Sequence, residues 1–374
     1  MKYVYAGLLA LSVAGLPAAK AEWYDDMKLK GDIRYRHEQI DDSAQPDTQS
    51  RERIRIRAGV DARVNSEVNA VFQLTTTEGT SLAGGGDPIS GNQTLTGGGS
   101  KKFMYLDLGY IDYHPEAVKG LSLIGGKMKS PYIAVGDMIW DNDYTPEGLA
   151  LTYKTGDDVQ FLLNAANHWF IENKAGNDPQ QYGGQVALNF TLGKAGSLMA
   201  GCSYFATANL DGAPVLDYKS SNNTYGNSSD SKISGTTTSK VYKADFANIE
   251  PFVQLTLDVG LPLKFYAQYT KNTDADSYDT GYLAGVTLGE AKDPHTYEFG
   301  YNYRKLEKDA VLGALADSDS SGGGTDNQGH KLFARYQISK GFQAGVSYFM
   351  DEKKISAPKT VDYNRLQVDF IAKF

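Results

Sequence analysis

From Arg51 to Val64 the chain alternates: Ile54, Ile56, Ala58, Val60, Ala62 and Val64 occupy one parity, and Arg51, Arg53, Arg55, Arg57, Asp61 and Arg63 the other. A period of two puts these sets on opposite faces of a β-strand. One face is dry and the other carries a file of guanidinium groups about 6.8 Å apart, two strand rises. Neighbours at that spacing repel by about 0.6 kcal/mol even at the dielectric of water. Burying the file in a packed core without partners would cost several kcal/mol per charge. The strand therefore needs an apolar surround on one side and water with counter-charges on the other.

The same period returns along the chain. Val68, Ala70, Phe72 and Leu74 alternate with polar residues, as do Val186, Leu188, Phe190 and Leu192, then Tyr297, Phe299, Tyr301 and Tyr303. The last segment sets Leu366, Val368, Phe370, Ala372 and Phe374 against Arg365, Gln367, Asp369 and Lys373. Between Leu106 and Ile111 the alternation slips, and 121–128 fits either register. About sixteen such segments begin near residues 27, 51, 66, 103, 120, 147, 158, 181, 197, 252, 263, 279, 295, 330, 342 and 362. Short turns follow the even segments, while long polar or Gly-rich connections follow many odd ones, notably 78–101, 130–147, 209–246 and 308–329. Gly84–Gly86, Gly97–Gly99, Lys219–Asn223 and Gly322–Gly324 look like solvated loop. The short-long alternation is what a meander with all its long loops at one end produces, and no linker divides the chain.

Composition removes several alternatives. A mean hydropathy of -0.41 and no apolar run near the roughly 20 residues of a spanning helix, beyond the N-terminus, argue against a helical membrane protein. One cysteine, Cys202, excludes an intrachain disulfide and any zinc site needing two thiolates. A net charge of -8 argues against broad nucleic-acid binding. Residues 1–21 carry Lys2, an apolar stretch to Pro17 and Ala19-Lys20-Ala21, the pattern of a cleaved export signal. Residues 22–374 are then an exported acidic chain.

Sixteen amphipathic strands of about 10 residues, tilted near 45°, cross a bilayer core, and closure satisfies every ladder hydrogen bond. The expected fold is an all-β, transmembrane antiparallel barrel of about 16 strands, with long extracellular loops, short periplasmic turns and a lumen wide enough for water. The 25 tyrosines suit the aromatic girdles of such barrels. On these residues the chain resembles the bacterial outer-membrane porins over essentially its whole exported length. Phe374, closing the apolar ladder of the last segment, is similar to the C-terminal signature by which the barrel-assembly machinery recognises these proteins. The connection near 130–147 matches the position of the porin loop that folds into the lumen. Its Asp137, Asp141, Asp143 and Glu147 are clustered, and Pro146-Glu147-Gly148 resembles a shortened Pro-Glu-Phe-Gly of general porins, lacking the Phe. The resemblance implies passive diffusion of ions and small hydrophilic solutes, a homotrimer, and a place among outer-membrane lipid and lipopolysaccharide. It implies no cofactor and no enzymatic activity.

The expected constriction sets wall cations against loop acids. Arg34 and Arg36 share a face with Asp32 and Glu38, and hairpin pairing brings them beside Arg53, Arg55 and Arg57. Asp137, Asp141, Asp143 and Glu147 would complete a transverse field that orients polar solutes. The same charges would also serve as salt bridges bracing the wall and the folded loop, and the two roles can coexist. Arg51, nearer the rim, would equally suit lipopolysaccharide phosphates.

Other features weigh less. Asp141-Asn142-Asp143, Asp274-Ala275-Asp276 and Asp317-Ser318-Asp319 lack the full spacing of a calcium loop and are expected to be solvated acids. Five scattered histidines show no metal-ligand spacing, Cys202 is expected to face lipid or pack, and three sequons in Asn/Ser-rich loops arise by chance. A barrel enzyme would need a nucleophile or paired acids held against a base, which no local arrangement suggests. A sugar-specific or other organic-solute channel would use lumen aromatics, for which Phe103, Tyr105, Tyr266, Phe333 and Phe349 are the candidates. They would otherwise pack beneath the folded loop. Ion preference stays open, because wall arginines favour anions while acidic loops favour cations.

Overall fold

The computed structural model describes residues 26–78, 85–174, 176–218, 223–234 and 236–374. The expected export signal at 1–21 lies outside the described residues, as do Gly84 and positions 219–222. The alternating segments form sixteen wall strands: β1 Met27–Asp42, β2 Gln49–Arg63, β3 Val68–Thr76, β4 Met104–Tyr113, β5 Leu121–Lys127, β6 Glu147–Thr155, β7 Val159–Trp169 and β8 Gln180–Thr191. The second half is β9 Gly196–Ala208, β10 Ala247–Asp258, β11 Pro262–Asn272, β12 Thr280–Gly289, β13 Tyr297–Leu306, β14 Asn327–Ser339, β15 Phe342–Lys353 and β16 Val361–Lys373. Each pairs antiparallel with its neighbours in sequence, and β16 pairs back onto β1 from Asp32↔Lys373 to Asp42↔Tyr363. Closure leaves no ladder edge unpaired, the condition for a sheet to stand in hydrocarbon.

Burial is inverted relative to a water-soluble sheet. Leu29, Ile33, Phe72, Ile111, Leu149 and Val186 are exposed on the outside, while Arg34, Arg36, Glu38, Gln185, Arg304 and Gln367 are buried inside. Such a continuous apolar exterior is stable against lipid and would aggregate in water. Cys202 lies on the outward face of β9, beside exposed Ala200 and Tyr204.

The seam between β1 and β16 ends at Phe374, whose N–H donates to the Gly31 carbonyl at 3.1 Å while the Gly31 N–H donates to the Phe374 carbonyl at 3.0 Å. The Phe374 ring lies so close over Gly31 that any Cβ there would collide with it. The slip in alternation at Leu106–Ile111 is a β-bulge: Gln73 faces Leu108 and Leu74 faces Leu106, so Asp107 is the extra residue. A one-residue insertion flips the parity downstream, which sends Ile111 outward and turns Leu108 inward, while Asp107 keeps the lumen-facing parity of Tyr105. At the opposite end, the turn after β6 uses Gly156 at φ 93°, a left-handed conformation that glycine adopts without strain.

The long loops depart from the solvated picture. The described parts of segments 77–103, 128–146, 209–246 and 307–326 contribute to one apolar core inside the barrel. Ile89, Met138, Trp140, Leu210, Tyr242 and Leu315 meet there, packed on the wall residues Phe205, Tyr266, Leu283 and Leu306. A two-stranded hairpin, Ser229–Ser234 with Thr237–Tyr242, is built within the third of these loops. The loops are also cross-tied: Asp141 N–H donates to Leu315 O at 2.9 Å, and Asn227 Nδ2 donates to Val311 O at 2.8 Å. Of the Gly322–Gly324 run expected to be solvated, Gly322 is exposed, whereas Gly324 is buried against the Tyr225 carbonyl.

Candidate functional site

Pairing of β1 with β2 sets Asp32 opposite Arg57, Arg34 opposite Arg55, Arg36 opposite Arg53 and Glu38 opposite Arg51. On the other flank β16 places Asp369 opposite Arg36 and Gln367 opposite Glu38. The register alone therefore interleaves acids with the arginine file. Arg55 Nη2 meets Asp32 at 2.9 Å, and Arg36 holds Asp369 by two bonds at 2.7 and 2.9 Å. Glu38, fully buried, is shared by Arg51, Arg365 and, at 3.8 Å, Arg53. Arg51, near the long-loop end of β2, is thus engaged by an acid of the wall.

The inward loops bring their own acids to this wall in three clamps. Asp143 meets Arg57 Nη2 at 2.8 Å and Arg55 Nη1 at 3.2 Å. Asp319 meets Arg365 at 3.1 Å and Arg36 at 3.2 Å, and accepts from Gln367 Nε2 at 2.9 Å. Asp137 meets Lys331 at 3.0 Å, while Asp317 approaches Arg304 at 3.5 Å. Loop 128–146 is therefore fastened to β2 by Asp143 and to β14 by Asp137. The paired charges touch directly along the arc from β13 through β16 to β2, with no aqueous gap between them. These contacts make the bracing arrangement.

Burial and charge set the loop carboxyls apart. Burial would raise Asp143, but Arg55, Arg57 and Arg34 reverse that and hold it at about 2. Burial is likewise outweighed at Asp137 by Lys331, and at Asp319 by Arg36 and Arg365, so both lie below the usual carboxylate range. Asp141 goes the other way: burial, then the charges of Asp317 and Asp143, push it well up. Asp317 rises to about 6 through burial and Asp137, against the pull of Lys331 and Arg304.

Of the residues named from sequence, Arg36, Arg53, Arg55, Arg57, Asp137 and Asp143 take part in these ion pairs. Arg34 lies in the same file, buried, and has no carboxylate partner among the described residues; its Nη2 donates to Asn92 Oδ1 at 2.7 Å. Arg53 also reaches Glu78, at 3.2 Å. Asp141 touches no cation and instead accepts the backbone N–H groups of Asp143 and Ser318, at 2.7 Å each. Glu147 does not join the acid cluster: it opens β6 on the parity of exposed Leu149, is 61% exposed, and pairs with Lys127 at 3.2 Å. Arg304, Lys331, Arg365, Asp317 and Asp319 were missed. Asp317 and Asp319, read as solvated acids, are held inside by arginines and backbone N–H groups. The signal that would have found them is the run Ala310-Val311-Leu312-Gly313-Ala314-Leu315-Ala316, which is too apolar for a solvated loop. Among the aromatic candidates, Tyr266 and Phe349 are buried, Tyr266 in the shared core and Phe349 beneath Lys331, whereas Phe103 precedes β4 and is 71% exposed. Tyr266 and Phe349 are packed away from any sugar track.

Open space lies elsewhere in the lumen. A cavity of about 710 Å³ at the long-loop end runs along β3 to β7, from Arg57 and Asp143 to Trp169 and Phe170. Its wall includes Tyr105, Asp107, Tyr144 and Leu315, so it is bounded by barrel on one side and inward loops on the other.

A family model described as Putative porin matches residues 40–241 and 243–374. No curated protein matches. Similar solved structures include OprB of Pseudomonas putida at high pH, with 11% identity, 94% of this chain and 95% of that chain covered, and a TM-score of 0.59. The in-vitro folded trimer form of OmpT, an outer membrane protein of Vibrio cholerae, has 13% identity, covers 94% and 100%, and has a TM-score of 0.53. The outer membrane channel DcaP of Acinetobacter baumannii has 12% identity, covers 93% and 97%, and has a TM-score of 0.52. At these identities the likeness speaks for the fold.

Proposed function

This chain belongs to the Putative porin family, an outer-membrane channel of bacteria, and on that premise we propose that it passes ions and small hydrophilic solutes by passive diffusion. The observation that carries this reading is a closed wall whose buried inward face is charged and whose exposed outward face is apolar. The selectivity elements are the file Arg34, Arg36, Arg53, Arg55 and Arg57 with the loop acids Asp137, Asp141 and Asp143, to which the geometry adds Asp317 and Asp319. Glu147 takes a lesser part, at the edge of the cavity. A non-enzymatic role fits a constriction in which Asp137, Asp143, Asp317 and Asp319 are engaged by cations and Asp141 by backbone donors. A homotrimer in lipid and lipopolysaccharide is the expected assembly, supported by the trimer form of OmpT.

The test is single-channel recording from the refolded chain in a planar bilayer under a salt gradient. Stepwise conductance is expected, and replacing Arg53, Arg55 and Arg57 with Ala should shift the reversal potential toward cations. The triple variant removes three positive charges and leaves Asp32, Glu78 and Asp143 without their arginines, while Glu38 keeps Arg51 and Arg365. An unchanged reversal potential would remove these arginines from the selectivity path. Phe374 is the proposed assembly signal, and it also closes the β1–β16 seam through Gly31. Deleting it should sharply lower the amount of heat-modifiable barrel in the outer membrane, and normal amounts would show that neither role matters.

A further inference from the structure

We propose that the cavity along β3 to β7 is a binding site for small organic cations bearing an apolar or aromatic part, and that these are the solutes the channel favours. The proposal rests on the channel reading above and adds the solute class.

Size, wall and charge agree. About 710 Å³ is room for a drug-sized molecule, since ligand sites span roughly 300–1,000 Å³. Tyr105, Trp169 and Phe170 offer rings to it, and Tyr144, stacked on Trp140 with centroids 5.6 Å apart, ties it to the loop core. Both cations on the wall are engaged, Arg57 by Asp143 at 2.8 Å and Lys127 by Glu147 at 3.2 Å. Two carboxylates are not so matched. Asp107, on the lumen-facing parity of Tyr105, accepts among the described residues from the neutral Gln73 Nε2 at 2.6 Å and Thr145 Oγ1 at 3.4 Å and from no cation. Glu172 has no cationic partner among the described residues. The space is therefore aromatic with uncompensated negative charge, which an ammonium group neutralises while its apolar part covers the rings. A cation over an aromatic face is further attracted by the ring's negative face. Anions find no counterpart, because the arginine arc is taken up by its clamps and Arg34 is buried under Asn92.

The refolded chain in a planar bilayer is recorded first in KCl, then with benzylammonium, methylammonium or benzoate added. On a conducting channel, benzylammonium should block current at concentrations about tenfold below those needed for methylammonium or benzoate, the worth of one contact of about 1.4 kcal/mol. Asp107→Asn with Glu172→Gln should raise the half-blocking concentration of benzylammonium about tenfold, by the same conversion. Trp169→Leu keeps the charge and should narrow the gap between benzylammonium and methylammonium. Heat-modifiable mobility checks that each variant is a folded barrel. Equal potency of benzylammonium and benzoate on a conducting channel, or block indifferent to all three substitutions, overturns the site and leaves the channel standing. A folded barrel without KCl conductance overturns the channel reading and this proposal together.

Discussion

Replacing Asp143 and Asp319 together with asparagine should turn the channel toward anions by about tenfold in permeability ratio, read as the reversal potential in a KCl gradient. A unit charge about 5 Å from a passing ion is worth about 0.8 kcal/mol at the dielectric of water, so two such charges supply somewhat more than the roughly 1.4 kcal/mol of a factor of ten. The partners they leave behind reinforce the sign. Arg55 and Arg57 keep only Asp32, and Arg36 and Arg365 keep Asp369 and Glu38. Conductance should rise less than selectivity shifts, because the shared apolar core and the Asp141–Leu315 backbone bond still hold the loops inside. A wide-open channel with unchanged selectivity would mean that the ion pairs only hold the loops in place. No change in either quantity would mean that the solute path bypasses the clamps entirely.

The barrel was legible because lipid and water impose opposite demands on alternate residues, and that demand is written at period two in most wall strands. The arginine file of β2 and its partners on β1 followed from the same rule plus hairpin register. Even the place where the rule failed, at Leu106–Ile111, marked a real bulge. The inward loops were legible only in part. Segment 128–146 announced itself through its acids, whereas the described parts of 209–246 and 307–326 pack inward through apolar contacts that carry no period. Tyr218, Tyr225 and Tyr242 are spread among Ser, Asn and Gly in sequence and meet only in space. Asp319 pairs with Arg36 across a separation of 283 residues, a contact no local pattern encodes. Glu147 misled for the opposite reason: it lies beside the acids in sequence, but the first residue of β6 falls on the outward parity.

Glu38→Gln should cost the barrel about 3–5 kcal/mol of stability, the usual loss when one member of a buried ion network is removed. Glu38 is fully buried at the closing seam, where its carboxylate takes Arg51 and Arg365, accepts from Gln367 at 3.2 Å and lies 3.8 Å from Arg53. Glutamine keeps the shape and removes the charge, so three guanidinium groups are left facing one another with Asp319 as the nearest remaining acid. The midpoint of urea unfolding in detergent, followed by gel mobility, measures the loss. Arg365→Gln alone should also destabilise, because it takes one cation from both Glu38 and Asp319, which keep Arg51 and Arg36. The double variant Glu38→Gln with Arg365→Gln should lose clearly less than the two single losses combined, since each substitution removes a charge the other left unpaired. Strict additivity would show that Glu38 acts through Arg51 and Arg53 instead. A loss under about 1 kcal/mol for Glu38→Gln would place the seam in freely solvated lumen, where such pairs are screened as they are on a protein surface.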